Sequence, residues 1–403
     1  MDDVPQPVVH QVLSQDEHWS QVGEPPAEPF AAAGFQARRL EWDNRPIRRS
    51  RFPFPWPDAR NDRLVAFRQR YDFPQAVAGI DDEFAQLLAL RRWAHEVFTH
   101  RSQIGLPAPV RWTGDPFEIM EVAAAGGFLQ CTQYAVLLQS SLAALGWVSR
   151  HVGIGSSYSD REGPWHHGVV DVFVNDLGKW VALDANFDVH YETAGVPLSP
   201  WEVGEAFGRD GGAEVDIVVG PERGKVDSAG LRTVGGAHES SRYLWALHYW
   251  HCDPFTRTGS WETRLKLVLV GERHAGEVWH QGGPEERAPH IGYADGSFQL
   301  TRRAADVYPD MGTCRLDLDR SDAHPAVAVA VGTFTPNFDT VLASVDGRPF
   351  RPVGLKFDWY VHEGENVLCV RTRNRLGRMG KVSRIEAVLE KAGREGEQTH
   401  DGH

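Results

Sequence analysis

The sequence predicts an α+β protein, in which helices pack on an antiparallel sheet and a β-sandwich domain follows. Three observations predict this fold class. Apolar residues recur with helical spacing over residues 82–145, two alternating segments follow between residues 166 and 186, and short alternating segments separated by turn residues fill the chain from about residue 241. Regular short strands of this last kind are typical of a β-sandwich.

The composition argues against several classes of protein. A chain of 403 residues is too long for one ordinary domain, so we expect two or three. The 55 acidic and 42 basic residues give a formal net charge of −13, whereas nucleic-acid binders usually carry a positive charge. The first residues lack the basic and apolar run of a signal peptide, and no stretch of about 18 apolar residues occurs. We therefore expect a cytoplasmic protein with neither nucleic acid nor a membrane as a partner.

Changes in composition divide the chain into five predicted regions. Residues 1–62 are rich in proline and polar groups with short aromatic runs, which predicts an extended N-terminal arm anchored on a globular body. Residues 63–208 form the predicted helix-and-sheet domain. Residues 209–240 are glycine-rich and predict a linker or a long surface excursion, residues 241–390 predict the β-sandwich domain, and residues 391–403 predict a frayed tail.

Two helices are predicted early in the helix-and-sheet domain. Residues 82–100 place apolar side chains, together with Arg91, on one helical stripe. Residues 115–125 begin with Asp115, which can cap a helix, and Pro116, which suits the first helical position. A pair of glycines ends this second helix.

The strongest predicted helix begins close to Cys131, directly after the Gly-Gly bend, and stops at Gly146. A helix N-terminus carries exposed N–H groups and a partial positive charge, and both favour a thiolate over a thiol. The same N–H groups can receive an oxyanion. The alternative for Cys131 alone is a small buried apolar residue, because free cysteines are often buried.

A predicted hairpin brings a histidine and an aspartate together. Its strands flank a turn at Asp176, and Val174 faces Lys179 if the turn is tight. His167 and Asp184 are then diagonal neighbours on one face, within reach through their side chains. A slip of one residue would place them on opposite faces, so the pair depends on this register.

These three residue types suit a thiolate relay. Cys131 attacks a carbonyl carbon, His167 keeps the thiol ionised and later protonates the leaving group, and Asp184 fixes the tautomer and orientation of the imidazole. This chemistry needs no cofactor.

The order of the three segments resembles the transglutaminase-like superfamily. In that family a cysteine opens a helix packed against a sheet, a histidine begins a strand of the form His-x-x-x-acidic-apolar-aromatic, and an aspartate ends a strand that begins with Trp-Val. The matching segments are residues 126–131, 145–150, 167–173 and 179–184. The resemblance covers about residues 65–205 and implies a transglutaminase-like catalytic domain at 63–208, with Cys131 as nucleophile, His167 as base and Asp184 as orienting acid.

Two positions depart from the family pattern. Gly168 and Val169 follow the histidine, where the family often has a small residue and then tryptophan. Ala185 and Asn186 follow the aspartate, where the family often has proline. These departures leave the type of substrate open.

Five further residues are candidates for the site. His166 is a rival to His167, although hairpin parity and the spacing to the next acidic residue favour His167. Gln130 either donates to an oxyanion or is a surface polar residue, and Trp112 either lines the cleft or belongs to the core. Asn186 and Asp188 either contact substrate or cap the strand end.

No metal site is predicted. The four cysteines lie far apart and form no CxxC pair, so neither a thiolate zinc site nor a redox dithiol is expected. The run from His248 to Asp253 contains ligand types but lacks a second group at suitable spacing. We expect neither a metal nor a cofactor.

The end of the predicted sandwich carries a second, shorter resemblance. Residues 364–377 combine a Gly-Glu-Asn turn, an alternating strand and a glycine-containing turn, and they resemble the last hairpin of fibronectin-like or immunoglobulin-like modules. This resemblance implies a module that binds or positions a partner and holds no chemistry of its own.

Three functions remain open from the sequence. The first is a cysteine enzyme that hydrolyses or transfers a peptide or other amide bond through a thioester at Cys131. The second is an enzyme on glycans, which would suit the 14 tryptophans and use His167 with acidic partners in acid–base chemistry. The third is a non-catalytic scaffold or binding protein. The sequence does not indicate the oligomeric state.

Overall fold

The computed structural model describes residues 26–44, 46–52, 54–99, 114–127, 129–155, 166–210, 212–220, 224–226, 246–251, 254–255, 266–269, 298–301 and 303–392. Two compact units divide the chain. The first unit includes Arg49–Pro309, and the second contains the described residues up to Arg48 and from Asp310 onward. Both units contain antiparallel sheets, and the long helices belong to the first. The protein therefore mixes helices with several antiparallel sheets, which is compatible with the predicted α+β class.

Eight helices are found among the described residues. They are α1 Glu28–Ala32, α2 Asp62–Arg70, α3 Phe73–Ala76, α4 Glu83–Thr99, α5 Pro116–Ala124, α6 Cys131–Ala144, α7 Pro200–Asp210 and α8 Ala304–Val307. The predicted helices at 82–100 and 115–125 correspond to α4 and α5, and the predicted cap is present because the Asp115 carboxylate accepts from the N–H of Phe117 at 2.9 Å. Of these helices, none has the length and apolar character needed to cross a membrane.

The described residues of the first unit form two sheets. The strands of this unit are β2 Ser149–Gly155, β3 His166–Val174, β4 Lys179–Leu183, β5 Val189–Thr193, β6 Val196–Pro197, β7 Asp216–Val219, β8 Gly224–Val226, β9 Ala246–His251, β10 Lys266–Leu269 and β11 Phe298–Thr301, and they follow β1 Phe35–Asp43 of the second unit. One sheet has the order β11-β10-β9-β2-β3-β4 and the other has the order β6-β5-β7-β8.

The second unit is built from the remaining strands. They are β12 Cys314–Arg320, β13 Ala326–Thr333, β14 Phe338–Val345, β15 Arg351–Val353, β16 Lys356–Tyr360, β17 Gly364–Asn374 and β18 Ser383–Lys391. A five-stranded sheet with the order β1-β18-β17-β14-β15 and a three-stranded sheet with the order β12-β13-β16 share one apolar core. Alternate residues of β17 and β18 are buried in that core, as two sheets packed face to face require.

Helix α6 forms the centre of the first unit. Every residue from Thr132 to Ala144 is buried, where the sequence pattern had predicted one broad apolar face. The helices α2, α4 and α5 pack around it, and β2 and β3 lie against it. Its polar residues are accommodated locally; for example, the Ser140 hydroxyl donates to the carbonyl of Val136 at 2.6 Å.

The predicted register of the β3–β4 hairpin is the observed one. Val174 pairs with Lys179 and Val170 pairs with Leu183. Continuing this pairing places Val169 opposite Asp184, so Asp184 and His167 lie diagonally on the same face.

The observed division differs from the predicted domains in three places. Residues 216–219 and 224–226 of the predicted linker are strands β7 and β8, which extend the sheet around β5. Strands β9, β10 and β11 fall in the predicted sandwich, yet they continue the sheet of β2. Their alternating pattern predicts strands but does not identify the partners of those strands, so it could not assign them to one sheet or the other.

The third difference concerns the predicted N-terminal arm. Strand β1 pairs along its length with β18, so this part of the predicted arm is an edge strand of the second unit. Residues 54–57 belong instead to the first unit, where Trp56 stacks on Trp180 with ring centroids 6.1 Å apart. Residues 1–25 and 393–403, with most of the predicted tail, lie outside the described residues.

Candidate active site

Cys131 is the first residue of α6, and a sharp bend delivers the chain to it. Gly126 has φ of +78°, a conformation that L side chains rarely adopt, and a Cβ on Gly127 would lie 2.6 Å from a methyl group of Val122. The side chain of Gln133 then accepts from the N–H of Gln130 at 2.9 Å and fixes the start of the helix. The N–H groups at a helix start carry a partial positive charge, which favours a negative charge on the sulfur.

Strand β3 approaches the start of α6 very closely at Gly168. A Cβ at this position would lie 3.0 Å from the Cα of Thr132 and 2.8 Å from Nε2 of His151, so a larger residue would push the strand away from the helix. The N–H of Gly168 donates to the sulfur of Cys131, and the Thr132 hydroxyl also hydrogen-bonds to it.

His167 joins the cysteine to the aspartate. Its Nε2 lies 2.7 Å from Oδ2 of Asp184, and its side chain is also hydrogen-bonded to the sulfur of Cys131. Since Nε2 faces the carboxylate, Nδ1 is the nitrogen that hydrogen-bonds to the sulfur. His167 is 5% exposed and Asp184 is 1% exposed, so water screens this chain of hydrogen bonds very little.

A tight turn after β4 holds the carboxylate of Asp184. Its Oδ1 accepts from the N–H of Asn186 at 2.8 Å and from the N–H of Phe187 at 3.2 Å, which leaves Oδ2 for His167. The backbone of Asp184 is bonded in both directions to Val189, which closes the turn. The ring of Phe187 packs on the His167 imidazole with centroids 5.2 Å apart. Both rotation and translation of the imidazole are thereby restricted.

The protonation states follow from this geometry. Burial opposes ionisation of Cys131, but the hydrogen bond and charge of His167, with the Gly168 N–H and the Thr132 hydroxyl, lower the pKa of the thiol below its usual value of 9.0. Burial alone would lower the pKa of His167, but Asp184 and the sulfur together raise it to about 10. These interactions favour the thiolate form of Cys131 and the protonated form of His167.

The structure describes some of the other predicted site residues and not others. Gln130 is half-buried and directly precedes the sulfur. Asn186 contributes its N–H to the carboxylate of Asp184. His166 pairs with Gly155 through β2 and β3, and its side chain lies outside the described part, as does the whole of Trp112. 

Asp188 belongs to a buried ion-pair cluster. It is buried, and its carboxylate binds the guanidinium groups of Arg91 at 2.8 Å and Arg92 at 3.1 Å. The sequence analysis missed this ion pair. A signal was present, because Arg91 falls on the apolar stripe of its helix, and a charge in that position needs a buried partner.

The described residues offer no metal site, and comparisons with known proteins found no match. Within the described ranges, no group of three or more His, Cys, Asp or Glu side chains could hold a metal ion. Of the segment from His248 to Asp253, which contains ligand types, the structure describes the backbone as far as His251, at the end of β9. The other two residues lie outside the described part. No protein-family model matches the chain, and no curated protein matches it in sequence.

Proposed function

We propose that this protein is a cysteine-dependent acyl-transfer enzyme of the transglutaminase-like kind, which hydrolyses an amide or peptide bond through a thioester at Cys131. One observation carries the proposal: hydrogen bonds join the half-buried Cys131, at the start of a helix, to the buried His167 and through it to the buried Asp184. A structural cysteine needs neither an imidazole beside its sulfur nor a carboxylate behind that imidazole.

The fold around these residues supports a transglutaminase-like core. The cysteine opens a central helix, the helix packs on β2 and β3, and the histidine and aspartate come from one antiparallel hairpin. The order of the three residues along the chain is the order that the sequence resemblance implies. We extend the proposal to the second unit, whose two packed sheets suit a fibronectin-like or immunoglobulin-like module that positions a partner.

In the first half-reaction, the thiolate of Cys131 attacks the carbonyl carbon of the substrate and forms a C–S bond. The carbonyl oxygen becomes an oxyanion, and the N–H groups in the first turn of α6 stabilise it. The side chain of Gln130, directly before the sulfur, is the second candidate donor. The imidazolium of His167 gives its proton to the amide nitrogen, the C–N bond breaks, and the amine leaves.

In the second half-reaction, water attacks the thioester carbon. The neutral imidazole of His167 accepts a proton from that water, the C–S bond breaks, and the carboxylic acid leaves. The proton returns His167 to the imidazolium, and the sulfur departs as the thiolate that the imidazolium stabilises. An amine in place of water would give transfer with the same balance of atoms. We favour water as the acceptor because it is always present.

The decisive experiment measures the reactivity of individual cysteines. The protein is treated with iodoacetamide from pH 5 to pH 10, and the alkylation rate of each cysteine peptide is measured by mass spectrometry. Cys369 is a matched internal control because it is also half-buried, but burial raises its pKa. We expect Cys131 to react faster than Cys369 at pH 7, because the pKa of Cys131 is lowered and that of Cys369 is raised.

Two variants complete this test. His167→Ala should return the pH dependence of Cys131 to that of an ordinary thiol, whereas Cys131→Ala should abolish hydrolysis in a screen of peptide and glycan substrates. Equal alkylation rates for Cys131 and Cys369 at pH 7, with no effect of His167→Ala, would contradict the thiolate relay. Glycan cleavage that survives in Cys131→Ala would instead favour the carbohydrate-active alternative.

A further inference from the structure

A second buried charge cluster lies directly behind Asp184, and the thiolate relay does not use it. Its centre is Arg91 on α4, which is fully buried. Around it are the carboxylate of Asp188, the ring of His190 and, beyond that ring, the carboxylate of Glu192, all of them buried. A guanidinium in such a place is tolerated only when its donors are paired.

The donors of Arg91 reach three different parts of the chain. Nε donates to Oδ1 of Asp188 at 2.8 Å, one terminal nitrogen donates to Nδ1 of His190 at 2.7 Å, and the other donates to the carbonyl of Gly220 at 2.9 Å. Helix α4, the turn that follows β4 and the end of β7 are therefore joined through one side chain. The N–H of Gly220 closes the arrangement by donating to the carbonyl of Asp188 at 2.9 Å.

The contact with Arg91 also fixes the tautomer of His190. A guanidinium has no acceptor, so Nδ1 of His190 must accept. The ring proton is then on Nε2, which donates to Glu192 at 2.9 Å. His190 is thus a fixed hydrogen-bonding element between Arg91 and Glu192, with both of its nitrogens occupied.

Asp188 connects this cluster to the candidate triad. The turn from Asp184 to Asp188 supplies both N–H groups that hold the Asp184 carboxylate and the ring that packs on His167. Asp188 ends the turn at φ of +55°, in the left-handed region that is unfavourable for most residues and is maintained only by surrounding contacts. Those contacts are the ion pairs with Arg91 and Arg92. Arg91 and Asp184 are also close enough to attract each other directly.

We propose that Arg91 is the positioning residue of this site: through Asp188 it holds the turn that aims Asp184 at His167. This inference rests on the proposed function. Arg91 does not touch the reacting atoms, so its effect reaches the sulfur of Cys131 only through Asp184 and His167.

Several charged or titratable groups of the described residues surround this turn. Arg91 and Arg92 face it from α4, and so does His95, whose Nδ1 lies 3.0 Å from the carbonyl of Ala185. From β3 the turn is faced by His167. Arg91 is the member of this group that is both fully buried and bound to Asp188, which is why it is the residue to change.

The test is the pH profile of Cys131 alkylation by iodoacetamide, measured on the full-length protein with Arg91→Met. Loss of the guanidinium loosens Asp184 and weakens its interaction with the imidazolium, so the thiolate forms only at higher pH. We expect the acidic limb of the profile to move up by about one pH unit, which makes alkylation at pH 6 to 7 about tenfold slower. Arg91→Lys keeps the charge without the three hydrogen bonds, and its limb should fall between those of wild type and Arg91→Met.

A matched control separates positioning from stability. Arg150 forms another fully buried ion pair, with Asp171 at 2.8 Å, and makes no contact with the turn after β4 among the described interactions. Arg150→Met should lower the melting temperature, as Arg91→Met does, but its Cys131 profile should coincide with that of wild type. A loss of stability alone therefore cannot produce the expected shift.

The outcomes distinguish this inference from the function on which it rests. A wild-type profile with its limb near pH 9 overturns the thiolate relay and this inference together. A low wild-type limb that coincides with that of folded Arg91→Met overturns the positioning role alone. If Arg91→Met does not fold, Asp188→Asn replaces it, since asparagine tolerates the left-handed conformation and removes the charge together with one of the two acceptor oxygens. The same upward shift is expected for Asp188→Asn, and a profile that coincides with wild type overturns the role.

Discussion

Two histidine–carboxylate pairs lie close together in the first unit, and they differ in what the second ring nitrogen contacts. His167 and Asp184 are 2.7 Å apart, and His190 and Glu192 are 2.9 Å apart, with all four residues buried. In the first pair the other nitrogen serves the sulfur of Cys131, a group that exchanges protons. In the second pair it accepts from Arg91, a group that does not.

The comparison shows that a buried histidine–carboxylate pair is not by itself a catalytic feature. The carboxylate fixes the ring in either case. Reactivity depends on whether the remaining nitrogen can release and recover a proton, and Arg91 prevents this at His190. The two pairs are therefore natural controls for one another, with matched burial and matched distances.

The largest expected difference is between the two alanine variants of the histidines. His167→Ala should lower the hydrolysis rate on the order of 10³-fold or more, because the thiolate loses its base and the leaving group its proton donor. His190→Ala should reduce the rate by less than about tenfold and cost about 3 kcal/mol of folding stability, since Arg91 loses a buried acceptor. Steady-state kinetics and urea unfolding measure both effects. Similar rate losses in the two variants would remove the distinction between the pairs.

A smaller effect is expected from changing the carboxylates to amides. Asp184→Asn should slow hydrolysis by roughly 10²-fold, because the amide N–H₂ group turned toward Nε2 opposes the protonated ring. Glu192→Gln keeps an oxygen that can accept from His190, so we expect the rate to change by less than about threefold. Kinetics at pH 7 on both variants, with melting temperatures recorded in parallel, provide the comparison.

The contribution of His167 to folding stability should depend on pH. The pKa of His167 is raised from 6.5 to about 10, so its contribution to stability is complete below pH 6.5 and is lost as the pH rises through 10. The stability lost in His167→Ala should therefore be larger at pH 6 than at pH 10, by about 2 kcal/mol or more. Urea unfolding at the two pH values tests this, and an equal loss at both would mean that His167 is not charged in the folded protein.

The smallest effect concerns the phenylalanine that contacts each imidazole. Phe187 packs on His167, and Phe84 packs edge-on against His190 with centroids 5.3 Å apart. Each Phe→Leu substitution should cost about 1 kcal/mol of stability, the worth of an aromatic contact. Only Phe187→Leu should also lower the hydrolysis rate, by severalfold, because it frees the catalytic ring to rotate. Equal rates for Phe187→Leu and Phe84→Leu would show that the ring contact has no catalytic role.

The sequence predicted the local elements of the site well. Cys131 at a helix start, the β3–β4 hairpin and its register all followed from glycine placement and from the alternation of apolar residues, which are local signals. The pairing of His167 with Asp184 followed from the register alone. These features depend on neighbours within about 20 residues of each other along the chain.

The contacts that support the site were not predictable in the same way. Arg91 reaches Asp188 across 97 residues of sequence and Gly220 across 129, and nothing in the local pattern of α4 names those partners. The close approach of Gly168 to the start of α6 was likewise not visible in the local sequence pattern. The predicted domain boundaries were wrong for the same reason. The sequences of β1 and β9 resemble those of other alternating strands, and only their partners show to which unit they belong.

The pairing of β1 with β18 has a consequence for synthesis. Arg38 on β1 bonds to Glu390 on β18, 352 residues later in the chain. At ribosomal rates of about 5 to 20 residues per second, β1 waits roughly 20 to 70 seconds for its partner to emerge. Throughout that interval, the bulged, charge-rich strand Phe35–Asp43 is without its strand partner on the nascent chain. The strand carries the charged residues Arg38, Arg39 and Glu41. Charges of this kind oppose pairing of an unpartnered strand with another polypeptide before β18 is available.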